Sequence, residues 1–367
     1  MNDFDTVSAA NTEFGFRLLR LLVKAEPTGN IFFSPFSLSL ALSMTLNGTE
    51  GRTAKDLAAA LGLADLPLGQ INEANARLLS SLTAPDLEVT VKIANALWAN
   101  RSVTLNPAFQ DRCRDYYAAR TGPLESAAAI NEWVGANTDG KIKGLVSDAD
   151  ILGAMLVLTN ALYFRGLWQT GFRKSDTRPM PFHLSEGVEK SVPFMCRSGR
   201  FSYAETALGQ TVSLPYGDGR MRLIALLPPP SQTADVLIQS LDLETWTALT
   251  AQLKPTEVTL FLPRFKAEYA ARLREPLSAL GMASAFAHGR DFLPMGLSDA
   301  FIGDVIHKAT LDVDEEGTVA AAATAVVMRG RAAFPSLVMC VDRPFFLGIW
   351  DDAAKTLLFA GVIRDPG

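Results

Sequence analysis

The sequence predicts an α+β fold whose large sheets are mostly antiparallel or mixed, and three observations carry that expectation. Apolar residues at helical spacing dominate residues 1–150, strand-like apolar runs dominate from Leu156 onward, and no regular strand–helix alternation joins the two halves. No Gly/Ser-rich linker or internal repeat divides the chain, so one domain spanning residues 1–367 is expected.

In chain order, Val7, Ala10, Phe14, Leu18, Leu21 and Leu22 recur at helical spacing, and Pro27-Thr28-Gly29-Asn30 ends that run. Ser34 stands where a helix cap would, with Pro35 at the first helical position. GRTAKDLAAALGL, from Gly51, reads as a third helix. Asn106 and Pro107 open another toward Tyr116 and Tyr117, and Ala127 to Asn137 form a further one. Between them Leu87 to Ala99 is long and β-branched, which predicts a strand buried on both faces. LVLTNALYF, from Leu156, reads the same way, and RPMPF, from Arg178, reads as a proline-punctuated bend. Strands follow at Val212 to Leu214, Arg222 to Leu227, Glu257 to Leu262, Val338 to Val341, Phe345 to Trp350 and LLFAGVI, from Leu357.

Composition narrows the function. A net charge of -5 with 20% charged residues lacks the basic excess of a nucleic-acid binder. No apolar stretch approaches the ~18 residues of a membrane span, so no membrane partner is expected. The start, MNDFDTVSAANTEFGF, has no basic segment leading into an apolar core. As written the chain reads as cytoplasmic; an extracellular protein whose leader has been removed is the alternative. Cys113, Cys196 and Cys340 are widely spaced without a C-x-x-C pair, which argues against a disulfide framework or a zinc site and for free thiols. His183, His288 and His307 are equally scattered, and no nucleophile, phosphate-loop or dinucleotide motif is present. No catalytic residue, metal or cofactor is expected, and nothing in the sequence asks for an enzyme.

One stretch resists a purely structural reading. Val305 to Asp314 alternates apolar and polar residues as a strand should, and is followed by EEGTVAAAATAVVMRGRAAFP, Glu315 to Pro335: a glycine, a block of alanines, two arginines and a proline. Together with NIFFSPFSLSLALSMTLNGTEGRTAKDL, INEWVGANTDGKI, LTNALYFRGLW and DRPFFLGIWDDAAKTLLFAGVI, the run VIHKATLDVDEEGT resembles the serpin superfamily, in order, from Asn30 to Ile363.

The resemblance implies a fold of about eight or nine helices around three β-sheets, with an exposed reactive-centre loop over residues 315–335. It also implies an inhibitor that offers this loop to a protease and then inserts the cut loop into the main sheet. The hinge would comprise Glu315, Glu316, Gly317, Thr318, Val319, Ala320, Ala321, Ala322 and Ala323. Glycine can absorb the backbone change of a hinge, and small side chains can enter a packed sheet. Thr318, Ala320, Ala322, Thr324, Val326 and Met328 would share one face, and no proline interrupts the ladder before Pro335. Fourteen residues beyond Gly317 stands Arg331, followed by Ala332: the reactive bond, with Arg329 as the alternative bait. Arginine there suits a trypsin-like serine protease; an arginine-specific cysteine protease would read the same bait.

Ser34, Ser37, Asn160 and His307 match the family's polar shutter beneath the sheet centre, and Trp168 matches the breach tryptophan at its top. There are departures. Val319 stands where many inhibitory members carry glutamate. The segment between Tyr117 and Ile130 is shorter than usual, which would shorten or remove an edge strand. Leu66 to Leu87 holds only Arg77 as a basic residue, so heparin binding is not expected. Asn47-Gly48-Thr49 and Asn100-Arg101-Ser102 fit the glycosylation pattern and are read as chance. A monomer is expected, with loop–sheet polymers as its hazard. A carrier, chaperone or storage serpin is the non-inhibitory alternative; the hinge disfavours it, since it holds no bulky residue or proline.

Overall fold

The computed structural model describes residues 3–84, 88–184, 187–318 and 337–367. The first half is largely helical: α1 (Asp3–Ala25), β1 (Ile31–Phe33), α2 (Pro35–Leu46), α3 (Gly51–Ala60), α4 (Leu68–Leu82), β2 (Val89–Ala99), α5 (Pro107–Tyr117), β3 (Arg120–Pro123), α6 (Ala127–Asn137) and α7 (Asp148–Ile151). Local chemistry sets several starts. The Ser34 hydroxyl accepts from the Ser37 amide at 3.1 Å, Asn106 accepts from Ala108 at 3.0 Å, and Ser126 accepts from Ala129 at 3.2 Å. Pro35 and Pro107 occupy the first helical positions, where a missing N–H costs nothing.

The second half is mostly strand: β4 (Leu156–Leu167), β5 (Arg178–His183), β6 (Glu189–Thr206), β7 (Gly209–Pro215), β8 (Met221–Leu227), α8 (Ala234–Gln239), α9 (Leu243–Ala251), β9 (Lys254–Pro263), β10 (Phe265–Arg272), α10 (Arg274–Leu277), β11 (Ile302–Val313), β12 (Gly317–Thr318), β13 (Leu337–Cys340), β14 (Phe345–Asp351) and β15 (Thr356–Ile363).

Among the described residues these strands form two hydrogen-bonded sheets, where three were expected. One has nine strands, ordered β1-β15-β14-β8-β7-β6-β9-β13 with β5 alongside β6; the other has six, ordered β10-β11-β12-β4-β2-β3. The larger sheet is continuous because β6 is long enough to serve two layers. Its N-terminal residues pair with β5, its middle with β9, and Ser202–Thr206 with β7. Every residue of β15 is buried, against α1 and α2 among others, so this strand is enclosed on both faces.

Several expectations need correction. RPMPF is not a bend: it lies in β5, an edge strand paired only with β6. Pro179 and Pro181 are two residues apart, so both missing N–H groups fall on one side, which an edge strand can leave to solvent. The strand expected from Leu87 is β2, described from Val89, and its upper half is not buried on both faces: Thr90, Lys92 and Ile93 are half-exposed. Helix α4 went unread because its inward stripe carries Asn72 and Asn75 among its apolar residues. The edge strand β3 survives as four residues, pairing in parallel with Ala96–Ala99 alone, in keeping with the short segment that precedes α6.

The six-stranded sheet is where function is sought. β4 and β11 run parallel and pair directly, from Leu156 with Ile302 up to Tyr163 with Thr310. Above that point they part, and the two residues of β12 lie between them.

Candidate functional site: the parted top of the six-stranded sheet

β11 turns back on itself through Glu315 and Glu316. The Asp314 amide donates to the Gly317 carbonyl at 2.8 Å, and the Asp314 carboxylate accepts from the amides of Glu316 and Gly317 at 2.8 and 3.2 Å. This is an Asx-stabilised hairpin. Burial raises the Asp314 carboxyl pKa, opposed by those two amide bonds. Gly317 has φ +145°, and a Cβ there would lie 2.1 Å from the Gly166 carbonyl oxygen and 2.7 Å from the Leu167 Cα. Only glycine lets the chain approach β4 so closely.

Thr318 then pairs with Gly166 on one side and with Val313 on the other, both antiparallel. Its side chain is fully buried, with its hydroxyl 2.9 Å from that of Tyr216. Tyr216 stacks on Trp168, centroids 4.5 Å apart at 9°, and burial pushes its phenol well above the usual tyrosine range. Trp168 holds the hairpin twice. Its ring N–H donates to the Asp314 carbonyl at 2.8 Å, and its amide donates to the Glu316 carbonyl at 2.9 Å.

The two glutamates are held from the chain that follows β4. The Phe172 amide donates to the Glu315 carbonyl at 2.8 Å, the Thr177 hydroxyl to the Glu315 carboxylate at 2.7 Å, and Lys174 meets Glu316 at 2.6 Å. Arg264 stands 3.9 Å from the same Glu315 carboxylate. Glu315 is 4% exposed, so its bonds count for more than those of Lys174, which is largely in solvent.

Below the parted region lies a buried polar row. Asn95, Asn160 and His307 are direct partners across β2, β4 and β11. The Ser34 amide donates to His307 Nε2 at 3.2 Å, so the ring proton sits on Nδ1 and is donated to Asn160 Oδ1. The Asn160 amide nitrogen donates to the Ser37 carbonyl at 2.9 Å and to Asn95 Oδ1. Full burial lowers the His307 pKa to about 3, so the ring is neutral.

Sequence reasoning named Ser34, Ser37, Asn160 and His307, and the structure brings all four into one network. It missed Asn95, although an asparagine in the middle of a buried strand such as KIANALWA is a readable signal. Trp168, Glu315, Glu316, Gly317 and Thr318 converge at the parted end. Val319, Ala320, Ala321, Ala322, Ala323, Arg329, Arg331 and Ala332 lie outside the described residues. Elsewhere, Asn47 is buried and its amide nitrogen is bonded to Ser43, Asn72 and Tyr117, so a glycan could not be attached without unfolding. Arg77 on α4 lies over the Phe4 ring at 5.2 Å. Cys113 is buried and its thiol is pushed up to about 12 by desolvation; no cysteine is in a disulfide. Among the described residues no group of three or more metal-ligating side chains occurs, and no helix is long and apolar enough to cross a membrane.

The six-stranded sheet is thus closed at one end along the parallel β4–β11 pair and parted at the other by a hairpin of its own chain. The profile described as Serpin (serine protease inhibitor) matches residues 9–366, and the chain belongs to that family. It is 34% identical to Serpin B6 of Pongo abelii and 33% identical to the leukocyte elastase inhibitor of Bos taurus, each alignment covering 99% of this chain and all of the relative. Among solved structures it resembles the thermophilic serpin tengpin in its native state, with a TM-score of 0.91, 26% identity and coverage of 100% of this chain and 95% of that one. It resembles human thyroxine-binding globulin in complex with thyroxine equally well, with a TM-score of 0.91, 26% identity and 99% coverage of both chains.

Proposed function

We propose that this serpin is a suicide-substrate inhibitor of arginine-specific, trypsin-like serine proteases, with Arg331–Ala332 as the bond it offers. The observation that carries the reading is the seating of Thr318: the first residue beyond the hinge glycine is already paired between β4 and β11. Continued in the same register, Val319 would face Arg165 and Met328 would face Leu156, the first residue of β4. On the other side Val319 would face Asp312 and Met328 would face Gly303. The two neighbouring strands thus offer matching lengths for the same further residues. Even-numbered residues from Ala320 to Met328 would share the buried face of Thr318, and all are small or apolar.

The chemistry belongs to the target. Its serine hydroxyl attacks the Arg331 carbonyl, the bond to Ala332 breaks, and Ala332 leaves as a new amino terminus. Arg331 remains joined to the serine as an ester. Insertion then competes with hydrolysis. It completes roughly ten to twenty backbone hydrogen bonds at about 1 kcal/mol net each, less those given up between β4 and β11. The chain supplies the bait and the sheet, and no catalytic group. Free thiols, two of them half-exposed, suit a reducing compartment such as the cytoplasm.

The names of the relatives support the inhibitory reading: a leukocyte elastase inhibitor aligns over nearly the whole chain. The thyroxine-binding globulin likeness favours the second reading, a carrier on the same fold. Incubation with a slight excess of active trypsin separates the two. An SDS-resistant band near the summed mass, with a released fragment beginning at Ala332, is expected. Arg331→Leu should remove that band and leave the fold intact. A cleaved chain with trypsin fully active would overturn trypsin inhibition, and a band surviving Arg331→Leu would move the bait to Arg329 or elsewhere.

A further inference from the structure

Arg197, on β6, is a half-buried cation with no carboxylate partner among the described residues. Desolvation lowers its pKa to about 10, which still leaves it charged at neutral pH. Its guanidinium lies 4.3 Å from the Phe201 ring centroid and 5.3 Å from that of Phe172, and it donates to the Thr170 carbonyl. Cation–π contacts and one charged hydrogen bond therefore take the place of an ion pair.

What Arg197 holds is the chain leaving β4. Within the hinge hairpin, Gly317 and Thr318 are seated by Gly166, Leu167 and Tyr216. Residues 168–177 contribute most of the contacts that hold Asp314–Glu316 from outside the hairpin, Arg264 adding one. They supply the Trp168 amide and ring N–H, the Phe172 amide, Lys174 and the Thr177 hydroxyl. At Gly171 this strap passes so near the hairpin that an added Cβ would lie 3.0 Å from the Glu315 carbonyl oxygen. Phe172, 7% exposed, meets Trp168 edge-on on one side and takes the guanidinium on the other. Arg197 thus touches the strap at Thr170 and Phe172, and the strap in turn touches the hairpin at Glu315 and Glu316.

We infer that Arg197 is a positioning residue for loop insertion: it fixes the strap, and the strap keeps Gly317 and Thr318 seated as the nucleus from which the inserted strand grows. This rests on the inhibitory reading for its consequence, but not for its physical test. Without Arg197 the strap loosens and the hairpin unseats. Insertion must then begin without its first paired residues, and more of the cut loop is hydrolysed before the trap closes.

Hydrogen exchange of the intact protein, with no protease present, tests the physical claim. In Arg197→Ala, the Trp168, Phe172 and Gly317 amides should exchange about tenfold faster or more, the effect of losing one charged hydrogen bond. The β14 and β15 amides should be unchanged. Arg197→Lys, which keeps the charge but not the planar fork, should fall between. Unchanged exchange at those three amides, or a uniform rise across the protein, would overturn the assignment. If wild type traps trypsin, Arg197→Ala should also require several-fold more inhibitor per protease, with the bait still cut at the wild-type rate. An unchanged requirement would overturn the role in insertion. If wild type traps nothing, the inhibitory reading fails, while the exchange result still decides whether Arg197 holds the hinge.

Discussion

Thr318→Arg is the sharpest test of whether the cut loop enters the sheet. Thr318 is fully buried and bonded through its hydroxyl to Tyr216, itself fully buried. Replacing it leaves the tyrosine hydroxyl without a partner, at about 1–3 kcal/mol. It also asks a guanidinium to enter a site with no carboxylate, at a further several kcal/mol. The sum does not exceed the roughly ten kcal/mol that full insertion could return at about 1 kcal/mol per bond. Because Thr318 is already seated in the resting sheet, the substitution unseats it, and insertion must then begin by forcing this position in before later pairs have formed. A barrier raised by about 4 kcal/mol slows insertion roughly a thousandfold, and hydrolysis of the acyl-enzyme then wins. The expected outcome is a folded protein that trypsin cleaves at the wild-type rate and that yields little covalent complex. The assay is a titration of trypsin, read as moles of inhibitor consumed per mole of protease blocked, alongside a denaturing gel. A complex yield equal to wild type would refute insertion through this position.

Two further predictions follow from the same region. Glu315→Lys removes the acceptor of Thr177 and sets a second cation beside Arg264. Because Arg264 is about half exposed, most of the loss, about 1–3 kcal/mol, comes from the buried bond; calorimetry should show a lower melting temperature, and native gels should show polymer on gentle warming. No shift in melting would mean that the clasp around Glu315 bears no strain. His307 gives a pH signature. Its folded-state pKa is lowered from 6.5 to about 3, so between those values the unfolded chain binds a proton that the folded one refuses. Its contribution is therefore harmless above pH 6.5 and costs about 1.4 kcal/mol for each pH unit below it. Denaturant melts at neutral pH and near pH 5 should show a steeper loss in wild type than in His307→Gln. Equal slopes would contradict a neutral buried imidazole.

Much of this could be read in advance where one residue type has one physical use. Ser34 before Pro35 announces a capped helix, and Gly317 after an alternating strand announces a turn that only glycine can make. Asn160 stands out as a polar side chain in a largely buried run, and His307 as a polar one among the apolar positions of an alternating strand. The resemblance supplied the idea that they meet, since nothing in local spacing brings β4 and β11 together. Asn95 was legible by the same logic and was passed over. Other features were hidden for physical reasons. β5 carries prolines that only an edge strand tolerates, and sequence alone does not say which strands are edges. α4 turns Asn72 inward because Asn47 and Tyr117, far away in sequence, satisfy it. Arg197 looks like any arginine on a strand until Phe172 and Phe201 close around it.

The direction of the strands at the seam has a consequence of its own. β4 and β11 run the same way, so their bonds are slanted and somewhat weaker per residue than antiparallel ones. A chain folding back from the end of β11 must run opposite to both. On the proposed insertion, each residue that entered would exchange one parallel contact for two antiparallel ones, and would need no crossover, since the turn at Glu315 and Glu316 already delivers the chain. Nothing in the closed sheet can realise that gain by rearranging itself, because no strand within it can reverse. On the proposed inhibitory reading, chain polarity rather than any single weak contact would keep the resting molecule short of its best pairing. Repairing individual side chains in the sheet would slow its release without removing the reason for it.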